Sequence, residues 1–171
     1  MGRVVDLLAR LGTAASSSKL GGIFYYVVCR RIDSVLIPLS KGRLSMGPPG
    51  QTVLVTTKGA RSGKPRKTSL AFLWAGRDMI VIASKGGSPA HPAWYHNMKA
   101  DPRVVVQHPG GIEHRIAREA LGTERDALFA RMAGTFSNFA AYQARARNRT
   151  IPVMLLSPAD DAPSTANRSD A

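Results

Sequence analysis

Most of the short strand-like stretches after residue 46 alternate apolar and polar residues, and most are joined by short turns that carry Gly or Pro. Alternation with a period of two is typical of β-strands that bury one face. Because short turns join antiparallel neighbours, the pattern predicts a meander that closes on itself as a small barrel. The predicted strands are Gln51–Thr57, Arg66–Trp74, Met79–Ala83, Arg103–Gln107 and Ile112–Glu119, with a last apolar strand at Ile151–Leu156.

Helices are expected beside these strands. Pro92 suits the first turn of a helix, which predicts a short helix over Ala93–Ala100. Thr123 and Ser137 are predicted N-caps. The helices that they would begin are Glu124–Ala133 and Asn138–Arg147. The fold class is therefore mainly β with flanking helices.

Residues 1–45 differ from the barrel segment in composition, and the turn Gly47–Gly50 marks the boundary. The first 45 residues carry seven Lys and Arg against two Asp. Their longest apolar run, Ile23–Cys29, is too short to span a bilayer. This pattern predicts either a basic amphipathic arm that lies on an anionic membrane surface or helices that pad the core. The predicted domains are residues 1–45 as this helical arm, 46–158 as the barrel and 159–171 as a disordered tail.

The net charge of +13, from 24 basic against 11 acidic residues, predicts an anionic partner. Nucleic acid, an acidic membrane surface and a small polyanion all fit this charge. Aromatic residues are only 6% of the chain and do not alternate with basic ones, so we expect no nucleic acid partner. The single Cys29 and the lack of a secretory pattern predict a cytoplasmic protein. His91 and His96 are not spaced as helical metal ligands, so no metal is expected.

The segment Lys58–Lys67, called here the basic turn, holds five positive charges and no acid between the first two strands. Only three residues separate its glycines and Pro65 follows Lys64, so it is not a Walker phosphate loop. The guanidinium groups of Arg61 and Arg66 still suit bidentate binding of carboxylate or phosphate. An anion site is therefore predicted at this turn, with a solvated hairpin tip as the alternative.

A second candidate site is the stretch Ser84–Asn97, which follows the third predicted strand and combines glycines, Lys85 and Trp94. Successive glycines can turn backbone N–H groups toward an anion. In a meander this stretch and the basic turn leave the same end of the sheet. We therefore expect one groove that takes a multiply anionic group at the basic turn and a flat group near Lys85. The alternative is a strand-to-helix connection with a Trp in the core.

The chain resembles the deazaflavin (F420)-dependent nitroreductase family of actinobacterial oxidoreductases from about Asp33 to Pro158. The resemblance rests on the motifs Thr56–Arg66, Ala83–Gly87 and His91–Asn97 in order, followed by Arg149–Pro152. It implies a split β-barrel of the flavin-reductase and pyridoxamine-phosphate-oxidase type, with coenzyme F420 as cofactor. The implied reaction is hydride transfer to an electron-poor acceptor: a quinone, an α,β-unsaturated carbonyl or lactone, or a nitroaromatic. An FMN enzyme on the same barrel and a protein that binds deazaflavin, heme or nucleic acid without catalysis remain alternatives.

The resemblance also implies roles for individual residues. Catalytic roles fall on Ser84 and Tyr142, and the substrate side on Phe136, Phe139 and Tyr142. Only Tyr142 keeps a hydroxyl among these aromatic positions, which disfavours nitroreduction and leaves a more apolar pocket; core packing is the alternative interpretation of the two phenylalanines. A solvated helix end is the alternative interpretation of Arg145, Arg147 and Arg149. The implied cofactor-binding residues are Arg61, Ser62, Lys64, Arg66, Thr68, Ala83, Ser84, Lys85, Gly86, Pro92, Trp94 and Asn97.

Overall fold

Six antiparallel strands form a closed barrel in the computed structural model, which describes residues 28–146 and 149–161. The mainly β barrel with flanking helices that the sequence predicts is confirmed. The strands are β1 (Thr52–Lys58), β2 (Pro65–Ala75), β3 (Asp78–Ile82), β4 (Arg103–His108), β5 (Gly111–Ala120) and β6 (Val153–Pro158).

The order of the strands is β1-β2-β3-β6-β5-β4, with β4 closing the barrel against β1. The predicted meander is therefore wrong beyond β3, because β6 pairs with β3 and separates it from β4 and β5. The connection from β3 to β4 contains a loop and a helix, so it is long enough to cross the barrel end. The predicted antiparallel pairing of strands that follow one another in the chain is confirmed for β1–β2, β2–β3 and β4–β5, which short turns connect.

The helices are α1 (Arg30–Leu39), α2 (Ala93–Ala100), α3 (Gly122–Thr135) and α4 (Asn138–Arg145). The bounds predicted for α2 are confirmed. Thr123 as an N-cap is wrong, because α3 begins at Gly122 and Leu121 takes the cap position. Ser137 does precede α4, but its side chain makes no capping hydrogen bond.

Two apolar clusters divide the core. The inner cluster fills the barrel with alternate residues of the strands, such as Val53 and Val55 of β1, and also holds Trp94. The outer cluster lies where α3 and α4 cover β3 and β6, and it includes Ile80 and Val153. These two strands are thus buried on both faces, which explains why their sequences are continuously apolar rather than alternating.

Helix α1 packs on β1, β2 and β4 with one face. Asp33 and Ile37 on that face are each 1% exposed, and Asp33 Oδ1 accepts the backbone N–H of Met46 at 2.7 Å. Burial raises the pKa of the Asp33 carboxyl. No helix within residues 28–146 and 149–161 has the length and apolar character to cross a membrane. Most of the predicted arm and tail lies outside the described residues, so the division into domains stays a prediction.

Candidate functional site

The basic turn and the loop after β3 lie at the same end of the barrel. Strand β2 is antiparallel to both β1 and β3, so β1 and β3 run in the same direction and end, at Lys58 and Ile82, toward the same end of the barrel. We call Ser84–His91 the glycine loop. The helix that follows it is bonded to the basic turn, because Asn97 Oδ1 accepts the N–H of Ala60 at 3.0 Å and Asn97 Nδ2 donates to Thr57 Oγ1 at 2.9 Å.

The basic turn presents its cations to solvent. The backbone turn is closed by the N–H of Gly59, which donates to the carbonyl of Lys64 at 2.9 Å, and Arg66 Nη2 reaches Ser62 Oγ at 3.5 Å. Arg61, Lys64 and Arg66 are exposed, and no ion pair among the described residues involves them. Their charges are therefore available to an anionic ligand.

The glycine loop has an unusual backbone. Ser84 is in the right-handed helical region, and the next three residues have positive φ: 47° at Lys85, 65° at Gly86 and 81° at Gly87. A right-handed residue followed by left-handed ones turns successive N–H groups to one side, which is the geometry of an anion nest. Lys85 has a Cβ, so its left-handed conformation costs about 1–2 kcal/mol. Strain of this kind is typical of ligand sites.

Gly87 packs directly on α4. A Cβ at Gly87 would lie 2.7 Å from the carbonyl oxygen of Tyr142 and 2.8 Å from Cβ of Arg145. The predicted substrate residues continue from this contact as a row of edge-to-face rings, with centroids 6.0 Å apart for Tyr142 and Phe139 and 5.8 Å apart for Phe139 and Phe136. The glycine loop and this aromatic row are thus neighbours.

The aromatic row also contributes to the outer core. Phe139 and Tyr142 are each 7% exposed and belong to the outer cluster, and Phe136 is half-buried against it. Core packing therefore accounts for much of the row. The Tyr142 hydroxyl oxygen accepts a hydrogen bond from Asn138 Nδ2 at 3.2 Å. A contact of these rings with a substrate stays a prediction.

Six of the predicted cofactor residues are buried rather than displayed. Ala83 is 0% exposed, Trp94 4%, and Ser84 and Asn97 8% each, and Pro92 and Thr68 are buried as well. Trp94 is in the core, and the Asn97 amide is used by Ala60 and Thr57. Thr68 is 2% exposed and pairs with Val55, so its side chain faces the barrel interior near Arg66. Its Oγ1 is the one buried side-chain polar atom in the described part of the chain without a hydrogen-bond partner.

Arg149 lies against the glycine loop, although the sequence analysis assigned it no role in the site. Its guanidinium donates to the carbonyls of Ala83, Ser84 and Ser88 and contacts His91 Nδ1 at 2.9 Å. The interpretation of Arg149 as part of a solvated helix end is therefore wrong. The available signal was its position in the Arg149–Pro152 motif, just before a continuously apolar strand. Arg145 does lie at the end of α4, with its guanidinium 5.3 Å from the Tyr142 ring centre, and Arg147 is outside the described residues.

His91 lies between Arg149 and the rings of Tyr95 and His96. Burial, and then the electrostatic effect of the neighbouring Arg149 and His96, lower the pKa of His91. The neutral ring offers Nδ1 as the acceptor that the Arg149 guanidinium needs. Among the residues that the structure covers, no group of three or more His, Cys, Asp or Glu is arranged to hold a metal ion.

A family model described as F420H(2)-dependent quinone reductase matches residues 37–158 of the chain. The chain belongs to this family. The F420-dependent class that the three motifs predict is confirmed, with a quinone reductase description in place of a nitroreductase one. The match begins within α1 and ends with β6, so it covers the barrel, the basic turn, the glycine loop and Arg149.

Curated relatives of this family occur in Mycobacterium tuberculosis. One, named F420H(2)-dependent quinone reductase, is 38% identical over 78 residues, which are 44% of this chain and 52% of the relative. A second strain of the same species has a relative of the same description with the same identity and coverage. The chain thus spans about half the length of the curated relatives that it matches.

Solved structures share the barrel. An F420-H2 dependent reductase superposes with a TM-score of 0.58 at 39% identity, over 63% of this chain and 94% of that one. A structure described as a domain-swapped dimer gives 0.61 at 34% identity, over 74% of this chain and 96% of that one. A protein of unknown function from Agrobacterium tumefaciens gives 0.52 at 16% identity, over 64% of this chain and 48% of that one, and therefore shares the fold alone.

Proposed function

We propose that this protein is an oxidoreductase that transfers a hydride from reduced coenzyme F420 to an electron-poor acceptor, with quinones as the leading class. The observation that carries the proposal is the Asn97–Ala60 hydrogen bond of 3.0 Å, which joins the basic turn to the helix behind the glycine loop in a chain of this family. Two cationic loops at the same end of the barrel, one of them bonded to the helix that follows the other, suit a ligand with an anionic tail and a flat head.

The residues at the rim fit coenzyme F420, a deazaflavin with a phospholactyl oligoglutamate tail. Its phosphodiester and carboxylates suit Arg61, Lys64 and Arg66, whose cations have no acidic partner in the described part of the chain. Ser62 adds a hydroxyl on the surface, and the orphan Thr68 Oγ1 gains a partner if a ligand oxygen or water reaches it. The proposed tail-binding residues are Arg61, Ser62, Lys64, Arg66 and Thr68.

The glycine loop suits the planar head of the cofactor. Ser84, which is 8% exposed, Lys85 and Gly86 offer a hydroxyl, an ammonium and backbone N–H groups in a nest, while Ala83 is buried directly before them and adds no polar side-chain atom. Pro92, Trp94 and Asn97 are buried in the segment that follows the loop, where they would fix its far end. The proposed ring-binding residues are Ala83, Ser84, Lys85 and Gly86, with Pro92, Trp94 and Asn97 as their support.

When bound, reduced F420 supplies a hydride, because a deazaflavin carries carbon where a flavin has its N5 atom. A hydride and a proton together convert a quinone into the hydroquinone, while reduced F420 returns to F420. Ser84 and Tyr142 are the proposed catalytic residues at the acceptor oxygen, where they would stabilise developing negative charge. Because the Tyr142 oxygen already accepts from Asn138, its own proton is directed away from that bond and can be donated.

The aromatic row favours apolar acceptors. Phe136 and Phe139 carry no hydrogen-bonding group, so they suit a quinone or an enone better than a nitro group that needs several donors. We therefore expect turnover with quinones first, with α,β-unsaturated carbonyls and lactones next, and little with nitroaromatics.

A turnover screen tests this function. Purified protein is mixed without oxygen with enzymatically reduced F420 and with a quinone, an enone or a nitroaromatic, and the return of F420 absorbance is followed. We expect quinone reduction that falls about 10²-fold or more in Ser84→Ala or Tyr142→Phe. Binding of F420 without reduction of any acceptor would favour a binding protein, and a yellow protein with flavin absorbance would favour an FMN enzyme.

We also propose that α1 contacts an anionic membrane surface. Ile32, Val35 and Leu39, which recur at helical spacing, are 42%, 58% and 80% exposed, on the side away from buried Asp33 and Ile37. Leu44 and Met46 follow with 54% and 45% exposure. An exposed apolar row of this kind marks an interaction site. Exposed Arg31, Lys41 and Arg43 flank it, and with the net charge of +13 they favour an anionic bilayer over a neutral partner.

Vesicle flotation distinguishes the partners of this row. We expect the protein to float with vesicles that contain anionic phospholipid, to stay behind with zwitterionic vesicles, and to lose binding in Val35→Ser/Leu39→Ser. The matched control is Ile112→Ser, which removes an equally exposed apolar side chain on β5. Absence of flotation, together with a dimer that the double variant dissociates, would instead assign the row to a second copy of the chain.

A further inference from the structure

The guanidinium of Arg149 meets the glycine loop at both of its ends. Nη1 donates to the carbonyl of Ala83 at 3.2 Å, and Nη2 donates to that of Ser84 at 3.0 Å, where the loop begins. Nε and Nη2 donate to the carbonyl of Ser88 at 3.1 Å and 2.9 Å, beyond the glycines. Nη1 also contacts Nδ1 of His91 at 2.9 Å, where the loop ends. One side chain thus fixes the span of the loop.

The loop needs these donors because of its backbone. Residues with positive φ cannot continue a strand or a helix, so the carbonyls beside them lose regular partners and must find others. Two internal bonds, from the N–H of Gly87 to Ser84 and from that of Ser88 to Lys85, form one tight turn only. A guanidinium presents five N–H donors in a rigid plane, which a lysine ammonium cannot reproduce.

Arg149 is itself held in place. Its carbonyl accepts from Gln143 Nε2 at 2.8 Å, and Gln143 Oε1 accepts the N–H of Ile151 at 2.9 Å. Arg125 donates to Gln143 and to the carbonyl of Ile151. The end of α4 and the start of β6 therefore form a fixed base for the guanidinium. No carboxylate pairs with Arg149 among the described ion pairs, so its charge adds to the positive potential at this rim.

We propose that Arg149 is the positioning residue of the glycine loop: its guanidinium holds Ala83, Ser84, Ser88 and His91 in the strained shape that presents Ser84 and Lys85 to the cofactor. The effect of Arg149 on cofactor binding rests on the proposed function, whereas its effect on the conformation of the loop does not. Arg149 needs no contact with the substrate for this role, since it acts through the carbonyls that it binds.

Hydrogen exchange in the cofactor-free protein tests the hold directly. In Arg149→Lys, which keeps the charge but loses the planar fork, we expect the amides of Gly87 and Ser88 to exchange about 10-fold faster or more, with the strands unchanged. Arg118→Lys is the matched control, because Arg118 lies in an exposed pair with Glu124. Unchanged exchange of the loop amides in Arg149→Lys would overturn the proposal.

Chemical rescue and cofactor binding complete the test. Ethylguanidinium added to Arg149→Ala should restore the slow exchange of the loop, while ethylammonium should not; equal effects of the two would count against a role for the planar fork. The dissociation constant for F420 should rise about 10-fold or more in Arg149→Lys, and an unchanged constant would overturn the positioning role. If the wild-type protein fails to bind F420, the proposed function falls, and loop exchange still decides whether Arg149 holds the loop. Should Arg149→Ala fail to fold, the loop exchange of Arg149→Lys decides by itself.

Discussion

Gly87 and Tyr142 touch so closely that no side chain fits between them: a Cβ at Gly87 would lie 2.7 Å from the Tyr142 carbonyl oxygen. Contacts below 3.0 Å to backbone require a shift of the loop or of α4. This contact joins the predicted cofactor side of the site to the aromatic row. The close approach of the glycine loop to α4 therefore requires glycine at position 87.

Substitution of this glycine should therefore damage the site. We expect Gly87→Ala to lower the free energy of unfolding by about 1–3 kcal/mol, from overpacking together with a φ of 81° that disfavours any Cβ. F420 affinity should fall with it. Gly86→Ala is the control, because its φ of 65° is similar but its Cβ meets nothing within 4 Å. Denaturant unfolding of the two variants separates packing from backbone strain, and equal losses would contradict a role for packing.

The Asn97 amide gives a second prediction. Asn97→Ala leaves both the N–H of Ala60 and Thr57 Oγ1 without this partner, at a cost of about 1–3 kcal/mol. Thr57→Val removes the second bond and the long 3.4 Å bond from Thr57 Oγ1 to the Arg66 carbonyl, but it keeps the bond to Ala60 and should cost less. We expect F420 affinity to follow the same order, because only Asn97→Ala frees the basic turn. Calorimetry measures the stability of the two variants, and a titration measures their F420 affinity. A larger effect of Thr57→Val would show that the Asn97–Ala60 hydrogen bond does not fix the basic turn to α2.

Acid should loosen the glycine loop through His91. The pKa of His91 is lowered from its ordinary value of 6.5, so the folded protein prefers the neutral ring that accepts from Arg149. The stabilisation is therefore complete above pH 6.5 and is lost as the pH falls through the lowered pKa. Loop amide exchange, corrected for its intrinsic pH dependence, should therefore speed up as the pH falls below 6.5. His91→Asn keeps an acceptor near the Nδ1 position but does not titrate, so its corrected exchange should be flat; an equal acid response in this variant would rule out His91 as the cause.

The contribution of Asp33 to the stability of the fold should depend on pH in the opposite direction. Because burial raises its pKa, the folded state binds a proton more readily than the unfolded state. Its contribution is then most favourable at low pH and weakens as the pH rises through the raised pKa. Asp33→Asn keeps an oxygen for the Met46 N–H without the charge, so it should equal or exceed the wild type in stability near pH 7 and lose that advantage in acid. Thermal unfolding across pH gives the answer, and a variant that is less stable at neutral pH would contradict the effect of burial.

The sequence predicts the strands well, because alternation and short turns are local signals. The predicted bounds of the strands β1 to β5 and of helix α2 agree with the observed bounds within about two residues. The order of the barrel did not follow, since placing β6 between β3 and β5 depends on long-range pairing. The basic turn and the glycine loop were found by composition. The role of Arg149 was missed because its partners are backbone carbonyls about 60 residues earlier in the chain, which carry no sequence signal.

Titration of F420 against the protein, followed by the fluorescence of the cofactor, decides whether the two cationic loops form one site. We expect saturable binding that weakens with salt and falls in both Arg66→Ala and Lys85→Ala. Lys67→Ala makes the same change in charge one residue from Arg66 but on the opposite face of β2, so its binding should be close to that of the wild type. No saturable binding, or unchanged binding in Arg66→Ala and Lys85→Ala, would show that the two loops do not form a site for F420.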